Sequence, residues 1–174
     1  MSAVMNATYA ESETPRAPGS TEQLLTFQLD GQEYGISVLK VQEIKGWEKV
    51  TPIPNSPPYI RGVLNLRGLI VPVLDLRLRF GLPEIPYTSI TAIVVVNIGN
   101  RLTGLVVDSV SDVIDVSEDQ QREAPNYEGH KNREFIRGLA HIDGKLLILL
   151  EVNCLTSTET LDAVSGSEAV VSRP

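Results

Sequence analysis

The stretch Ile60-Arg-Gly-Val-Leu-Asn-Leu-Arg-Gly-Leu-Ile-Val-Pro-Val-Leu-Asp75 decides the fold. It consists of two apolar runs of strand length, joined by Arg67-Gly68, and neither run is long enough for an ordinary helix. The pattern therefore predicts a β-hairpin. Pro72 lies inside the second run and cannot donate a hydrogen bond, so we expect this strand at a sheet edge or with a bulge. Asp75 is expected to cap a short helix through Phe80 that ends at Gly81.

The same pattern occurs a second time along the chain. An offset of 76 residues places Ile60-Arg-Gly-Val63 on Ile136-Arg-Gly-Leu139, and Gly68 on Gly144. An offset of 69 residues places the strand that begins near Leu25 on the strand that begins near Val94. Two gapless blocks in the same order indicate a structural duplication. The extra residues of the second copy are assigned to the polar loop 118–134.

Each copy is about 70 residues long and contains about five short strands. Small repeats of this kind predict two closed five-stranded β-barrels, since closure removes free sheet edges. We expect a disordered lead over residues 1–20, one barrel over 21–88 and a second over 89–155. Residues 156–174 are expected to be partly helical and then disordered, and the whole of 21–155 is expected to act as one domain.

The totals of the sequence exclude several classes of function. The 174 residues carry a formal net charge of −7, which disfavours a nucleic-acid duplex as the main partner because phosphate binding depends on Lys and Arg. The single cysteine, Cys154, rules out an intrachain disulfide and any multi-cysteine metal site. We find no secretory signal and no apolar run long enough to cross a bilayer. A cytoplasmic protein is therefore expected.

Signatures of catalysis are absent from the sequence. There is no nucleophile elbow, paired-histidine zinc motif or dinucleotide-binding pattern, and the phosphate-loop lookalike at 138–145 has the wrong spacing. His130 and His141 are expected to be surface residues, and Cys154 a small buried residue. Asp108, Asp112 and Asp115 are expected on a solvated strand face. No catalytic, cofactor-binding or metal-binding residue is assigned.

The two glycine turns differ in one informative residue. Asp143-Gly144 is a strong two-residue hairpin signal, whereas the first copy has Arg67-Gly68. Arginine at such a tip costs about 1 kcal/mol if its backbone is left-handed. It can also form two parallel bonds to a carboxylate of a partner. From the residues alone, a partner contact and an ordinary exposed arginine remain equally good interpretations.

Several motifs together resemble the CheW family of chemotaxis coupling proteins. They are Tyr34-Gly-Ile-Ser-Val-Leu-Lys-Val-Gln-Glu-Ile44, the stretch from Ile60 through Leu76, Gly104-Leu-Val-Val-Asp-Ser-Val-Ser-Asp-Val113, and the strand that follows Ile136. The resemblance covers about residues 22–155. It implies two SH3-like five-stranded barrels packed side by side, with short helical segments. It also implies a non-enzymatic scaffold without cofactors, which joins transmembrane chemoreceptors to the regulatory domain of the histidine kinase CheA.

The resemblance also implies a site between the barrels. In the family, the helical tip of the receptor lies in this groove, at the inner face of the membrane. The matching receptor-binding positions are Val41, Glu43, Arg67, Val110 and Val113. Kinase-binding positions are implied at Ile70 and Gly104, with less support. Periodicity alone favours the barrel cores for Val41 and Val110, and only the resemblance favours the groove. Glu43 and Arg67 are expected to pair when no receptor is bound.

Two other functions remain as alternatives. A tandem-barrel protein that binds RNA or the ribosome would retain the fold, although the charge and the nine aromatic residues disfavour it. A salt-sensitive gel shift with RNA would support it. An enzyme with a carboxylate site near Asp108 and Asp112 would show metal-dependent hydrolysis of generic substrates.

Overall fold

The computed structural model describes residues 20–123 and 133–155. The predicted disordered ends and residues 124–132 of the predicted loop lie outside the described residues. Within them, the chain forms eleven strands and one short α-helix, α1 (Leu76–Arg79). The strands are β1 (Thr21–Leu29), β2 (Gln32–Ser37), β3 (Val41–Gly46), β4 (Ile60–Leu66), β5 (Leu69–Asp75), β6 (Ala92–Ile98), β7 (Arg101–Val107), β8 (Ser109–Ser117), β9 (Gln121–Arg122), β10 (Ile136–Ile142) and β11 (Lys145–Leu150).

The strands form two sheets. Sheet A has the order β8-β1-β2-β11-β10-β9, and sheet B has the order β3-β6-β7-β5-β4. The β1–β2 hairpin therefore joins the last four strands of the chain, while the β6–β7 hairpin joins β3, β4 and β5. The two joints, β2–β11 and β5–β7, are parallel. The sheets thus take strands from both sides of residue 88, and the division of the chain there stays a prediction about the duplicated segments.

The registers of the two sheets confirm the duplication. Gln42 is an extra, bulged residue in β3, and Ser111 is the extra residue in β8, 69 positions later. Arg61 and Arg137 are the extra residues of β4 and β10, 76 positions apart. A bulge changes the local twist and direction of a strand, so its recurrence at both offsets shows the same architecture built twice.

Neither sheet is a barrel closed by a full ladder of hydrogen bonds, which differs from the expected closed barrels. After β3, the chain crosses to the opposite edge of sheet B, where Thr51 exchanges two backbone hydrogen bonds with Val63 of β4 (2.8 and 2.9 Å). Pro52 and Pro54 follow and lack N–H groups, so this pairing does not extend. In sheet A, the equivalent pairing is the two-residue strand β9 against β10. The mostly β, two-unit SH3-like class is confirmed.

Pro72 contradicts the edge-strand prediction. It lies in β5, an inner strand between β7 and β4, opposite Val63. The N–H and C=O groups of Val63 both bond to Thr51, so this pair needs no donor from Pro72. On the other side, the ladder to β7 begins only at Val73. A proline is therefore tolerated inside the sheet because neither neighbour requires its missing N–H.

The helix after β5 begins and ends as predicted, to within one or two residues. The Asp75 carboxylate accepts hydrogen bonds from the N–H groups of Arg77 (2.8 Å) and Leu78 (3.4 Å). Phe80 is the C-cap, and Gly81 follows with a φ of +77°. No helix among the described residues has the length and apolar character that crossing a bilayer requires.

Buried apolar side chains form three clusters. One lies within sheet B and includes Val71, Val95 and the half-buried Trp47. A second lies within sheet A. The largest joins the two sheets and includes Phe27 from sheet A and Val94 from sheet B. Since burial of apolar surface is the main stabilising term, this shared core holds the two sheets together.

Candidate functional site

Arg67 stands at the tip of the β4–β5 hairpin. Its φ is +51° and that of Gly68 is +92°, as expected for a two-residue turn with both central residues left-handed. The Gly68 N–H donates to the side-chain oxygen of Asn65 (2.8 Å) and supports the turn. Asp143 has the same geometry in the second copy, with a φ of +50°. The turn therefore holds a long cation outward in a conformation that arginine seldom adopts.

The Glu43 carboxylate is the partner of this arginine. Two guanidinium nitrogens of Arg67 donate to its two oxygens, at 3.1 and 3.5 Å. The Arg67 side chain is 70% exposed and that of Glu43 is 29% exposed. The expected pair is thus present, and its exposure limits its net worth to about 0–1 kcal/mol. Each partner can exchange the other for a charged group of another protein at little cost.

Val41 and Val110 lie at equivalent places in β3 and β8. Val41 is opposite Val96 and Val110 is opposite Phe27, each beside the bulge of its strand. Both are half-buried and pack against the shared core. Each valine therefore contributes to the core and also to the surface where the two sheets meet.

A surface groove of about 440 Å³ lies between β3 and β8. Ile44 and Ile90 are exposed apolar residues there, with Ile90 68% exposed. The lining consists of Ile44, Lys45, Gly46, Ser89, Ile90, Thr91, Ala92, Ser109 and Val110. This is the groove between the two units, with isoleucines at its surface.

The structure brings only some of the predicted receptor-binding residues to this groove. Val110 lines it, whereas Val41, Glu43, Arg67 and Val113 are outside its lining. Glu43 precedes Ile44 on β3, and consecutive strand residues point to opposite faces. The five residues therefore belong to a wider surface around the groove.

Ile90 was missed by the analysis of the sequence. It lies in the connection before β6, between Thr88 and Thr91, whose side chains bond to nearby backbone N–H groups. A single apolar residue in such a connection has no periodicity to mark it. No signal in the sequence singles out this residue, and only the folded chain places it beside Ile44.

The two predicted kinase-binding residues have different environments. Ile70 is half-buried in β5, opposite Asn65. Gly104 is buried in β7, between Val73 and Val95 of the neighbouring strands. A Cβ atom at Gly104 would lie 2.9 Å from the side chain of Ile93. Packing therefore accounts for this glycine, and a kinase contact at either residue stays a prediction.

The prediction of a buried Cys154 is wrong. Cys154 is an exposed free cysteine in a short 3-10 turn (Val152–Cys154). Val152 and Leu155 point into the core instead. A tight turn divides adjacent residues between core and solvent, which the apolar composition of the segment does not reveal. His141 is exposed, as predicted, and His130 lies outside the described residues.

Asp108 does not lie on a solvated face, and here too the prediction is wrong. Its carboxylate accepts from the Arg77 guanidinium (2.6 Å) and from the Asp30 N–H (2.9 Å). Arg77 is only 6% exposed, and it also reaches the Asp30 carboxylate (3.3 Å) and the Pro83 carbonyl (2.9 Å). This network ties the β1–β2 turn to α1 and to the start of β8. It orients β8, one wall of the groove.

A second buried polar contact supports sheet B. The Tyr87 hydroxyl donates to the Asp75 carboxylate (2.7 Å), and its ring lies on Trp47 with centroids 4.0 Å apart. Burial raises the pKa of Tyr87 above its usual value, and the bond to Asp75 raises it further. Burial, with the charge of Asp30, also raises the pKa of Tyr34. Both phenols are neutral structural groups.

Metal chemistry has no support in the described part of the chain. Over residues 20–123 and 133–155, no three His, Cys, Asp or Glu side chains are grouped so that they could hold a metal ion. The geometry instead provides an apolar groove and an exposed, exchangeable ion pair. These features, on a double SH3-like scaffold, define a protein-binding module.

Comparisons with known proteins agree with this class. The family model described as the CheW-like domain matches residues 23–159. The chemotaxis protein CheW of Klebsiella aerogenes is 43% identical over 145 residues, which cover 83% of this chain and 87% of that protein. The chemotaxis protein CheW of Bacillus subtilis is 34% identical over 148 residues, covering 85% of this chain and 95% of that protein.

A solved structure shows the same architecture. The scaffolding protein TtCheW from Thermoanaerobacter tengcongensis superimposes with a TM-score of 0.75 at 30% identity, covering 81% of this chain and 96% of that chain. Fold, site and similarity therefore agree. The chain belongs to the CheW family of chemotaxis scaffold proteins.

Proposed function

We propose that this protein is a non-enzymatic scaffold that couples transmembrane chemoreceptors to the histidine kinase CheA. Membership of the CheW family supports the proposal, and the exposed apolar groove between β3 and β8 carries it. A scaffold needs surfaces that bind proteins reversibly, and the groove with its exchangeable ion pair is such a surface.

The receptor would dock as a helical hairpin tip along this surface. An apolar ridge of a helix would cover Val41, Val110 and Val113, and contribute about 25 cal/mol per Å² of buried apolar area. Ile44 and Ile90 extend the apolar strip. At the rim, a receptor charge would replace one partner of the Glu43–Arg67 pair and set the orientation of the helices.

The kinase would contact the outer part of sheet B. Ile70 is the half-buried position there, and Gly104 would act by allowing the close packing of β7 on β6. The regulatory domain of CheA is the proposed partner. Binding to both proteins would recruit this chain from the cytoplasm to receptor arrays at the inner face of the membrane.

Reconstitution of the complex tests the proposal. Purified CheA, a cytoplasmic receptor fragment and this protein are combined, and receptor-dependent autophosphorylation of the kinase is measured. The variant Arg67→Glu places two acids side by side, and we expect at least a tenfold loss of receptor-dependent activity. The matched variant Arg122→Glu reverses an exposed charge on β9 of sheet A and should retain it. Equal activity of both variants would remove Arg67 from the receptor surface. Failure of the native chain to form the complex would refute the function itself.

A further inference from the structure

The duplication relates the Glu43–Arg67 surface to a second surface on sheet A. The offset of 69 residues maps Glu43 to Asp112, and the offset of 76 maps Arg67 to Asp143. Both offsets are fixed by the repeated bulges, so these are structural equivalents. The fold therefore presents the same hairpin tip beside the same bulged strand twice, with different charges.

The difference lies in the cation. In the first copy, the carboxylate holds a guanidinium supplied by the adjacent turn. In the second copy, the turn supplies Asp143, a second acid, while Asp112 keeps the carboxylate on the strand. Both aspartates are exposed. The second copy thus has the acceptors of the pair without the arginine that serves the first copy.

An apolar groove accompanies the two aspartates. It has a volume of about 240 Å³, and Ile114, Ile142, Leu146 and Leu147 lie along it. Leu146 is 45% exposed, although large apolar residues of a monomer are usually covered.

The charges at the rim of this groove are mostly negative. Glu33, Asp112 and Asp143 lie there, and Lys145 is the cation among the lining residues. The Glu33 carboxylate accepts a hydrogen bond from the Ser111 hydroxyl (2.9 Å), which holds it at the bulge. The groove therefore combines an uncovered leucine with a net negative rim.

We propose that this groove binds a segment of a partner protein that presents an arginine next to an apolar side chain. The apolar side chain covers Leu146, and the guanidinium takes at Asp112 and Asp143 the place that Arg67 takes at Glu43. Arginine suits two neighbouring carboxylates because its planar fork donates several hydrogen bonds at once. None of the receptor-facing residues takes part, so the site is independent of the proposed coupling function.

A matched pair of peptides tests the proposal on the full chain. The probes are Thr-Leu-Arg-Leu-Thr and Thr-Leu-Glu-Leu-Thr, titrated separately while backbone NMR resonances are recorded. We expect the arginine peptide to shift the resonances of Asp112, Asp143 and Leu146, and the glutamate peptide to bind at least tenfold more weakly. Equal binding of both peptides, or shifts confined to sheet B, would overturn the proposal.

Variants give a second, independent readout. Asp143→Arg rebuilds the ion pair of the first copy within the chain, and we expect at least a tenfold loss of affinity for the arginine peptide. The turn tolerates this change, because Arg67 adopts nearly the same φ (+51°) as Asp143 (+50°). Asp112→Asn should also weaken binding without touching the turn. Asp115→Asn removes an exposed acid of β8 outside the groove and is the control. Equal weakening by the control would show non-specific attraction and refute the site.

Self-association is a further outcome of the same experiment. Sedimentation of the full chain over a range of concentrations shows whether it forms oligomers. Oligomers that Asp143→Arg abolishes would place a second copy of this chain in the groove, which would overturn its assignment to a different protein. A monomer that binds the arginine peptide supports the proposal.

Discussion

At the scale of single residues, the site uses side chains whose loss costs the fold little. Arg67 is exposed, its pair with Glu43 is solvated, and its left-handed backbone is mildly strained. Arg77 is the opposite case, because it is buried and bonded to two carboxylates and a carbonyl. Binding and stability therefore depend on different arginines.

Arg67→Asn should separate binding from stability. Asparagine accepts the left-handed turn better than arginine, which offsets the loss of an exposed ion pair. We expect the free energy of unfolding to change by less than about 1 kcal/mol, as measured by urea denaturation followed through Trp47 fluorescence. Receptor-dependent kinase activity should fall. A loss of stability above about 2 kcal/mol would show that the pair is structural.

Tyr87 should make the protein sensitive to alkali. Its pKa is raised in the folded state, so its contribution to stability is present below the usual tyrosine pKa of about 10 and is lost as the pH rises above that value. Tyr87→Phe should lower stability by about 1 kcal/mol at neutral pH, because the bond to Asp75 is lost. The variant should also lose less stability than the native chain between neutral pH and about pH 11. Urea denaturation at both pH values measures this, and identical pH slopes would contradict it.

At the scale of elements, the places where the chain crosses from one sheet edge to the other depend on glycine. A Cβ atom at Gly62 would overlap the carbonyl oxygen of Thr51, and one at Gly138 would lie 2.6 Å from the carbonyl oxygen of Arg122. Both glycines follow the bulged arginines of β4 and β10. The bulge and the glycine together let the crossing segment approach the strand.

Gly62→Ala should therefore destabilise the protein by about 2 kcal/mol or more. Its φ of +150° is unfavourable for alanine, and the obstacle is backbone that cannot turn aside. Gly46→Ala is the control, since nothing lies within 4 Å of its Cβ position, and should change stability by less than about 0.5 kcal/mol. Thermal or urea unfolding measures both. Equal effects would show that the crossing does not need a glycine at residue 62.

At the scale of the whole molecule, exchanged hairpins and a shared core make the two sheets interdependent. The β1–β2 hairpin completes sheet A and the β6–β7 hairpin completes sheet B. The cluster that contains Phe27 and Val94 belongs to both sheets. A groove formed at such a joint keeps its shape because its two walls, β3 and β8, belong to units that cannot separate freely.

A fragment of residues 21–88 should consequently fail to fold alone. It would lack β6 and β7 for sheet B and would carry β1 and β2 without the rest of sheet A. We expect poorly dispersed amide resonances from the fragment. In the full chain, Trp47 fluorescence in sheet B and the exchange of β10 amides in sheet A should report one unfolding transition. Separate transitions, or a folded fragment, would show two independent units.

Local patterns in the sequence were sufficient for much of the fold and part of the site. Alternating apolar residues and glycine turns predicted the strands, and two constant offsets predicted the duplication, because these signals depend on neighbours in the chain. Asp75 predicted the helix start for the same reason. The Glu43–Arg67 pair was expected from the resemblance and is present in the structure.

Only the tertiary structure decided what depends on distant residues. The exchange of hairpins, the burial of Arg77 between Asp30 and Asp108, and the position of Ile90 beside Ile44 all join segments far apart in the chain. Sequence periodicity reports which face of a strand is apolar, but not which strand lies beside it. The amino-acid sequence thus determined two copies of a β unit with an ion pair at one turn. Packing between the copies determined the groove, because a surface between two units exists only once both are placed.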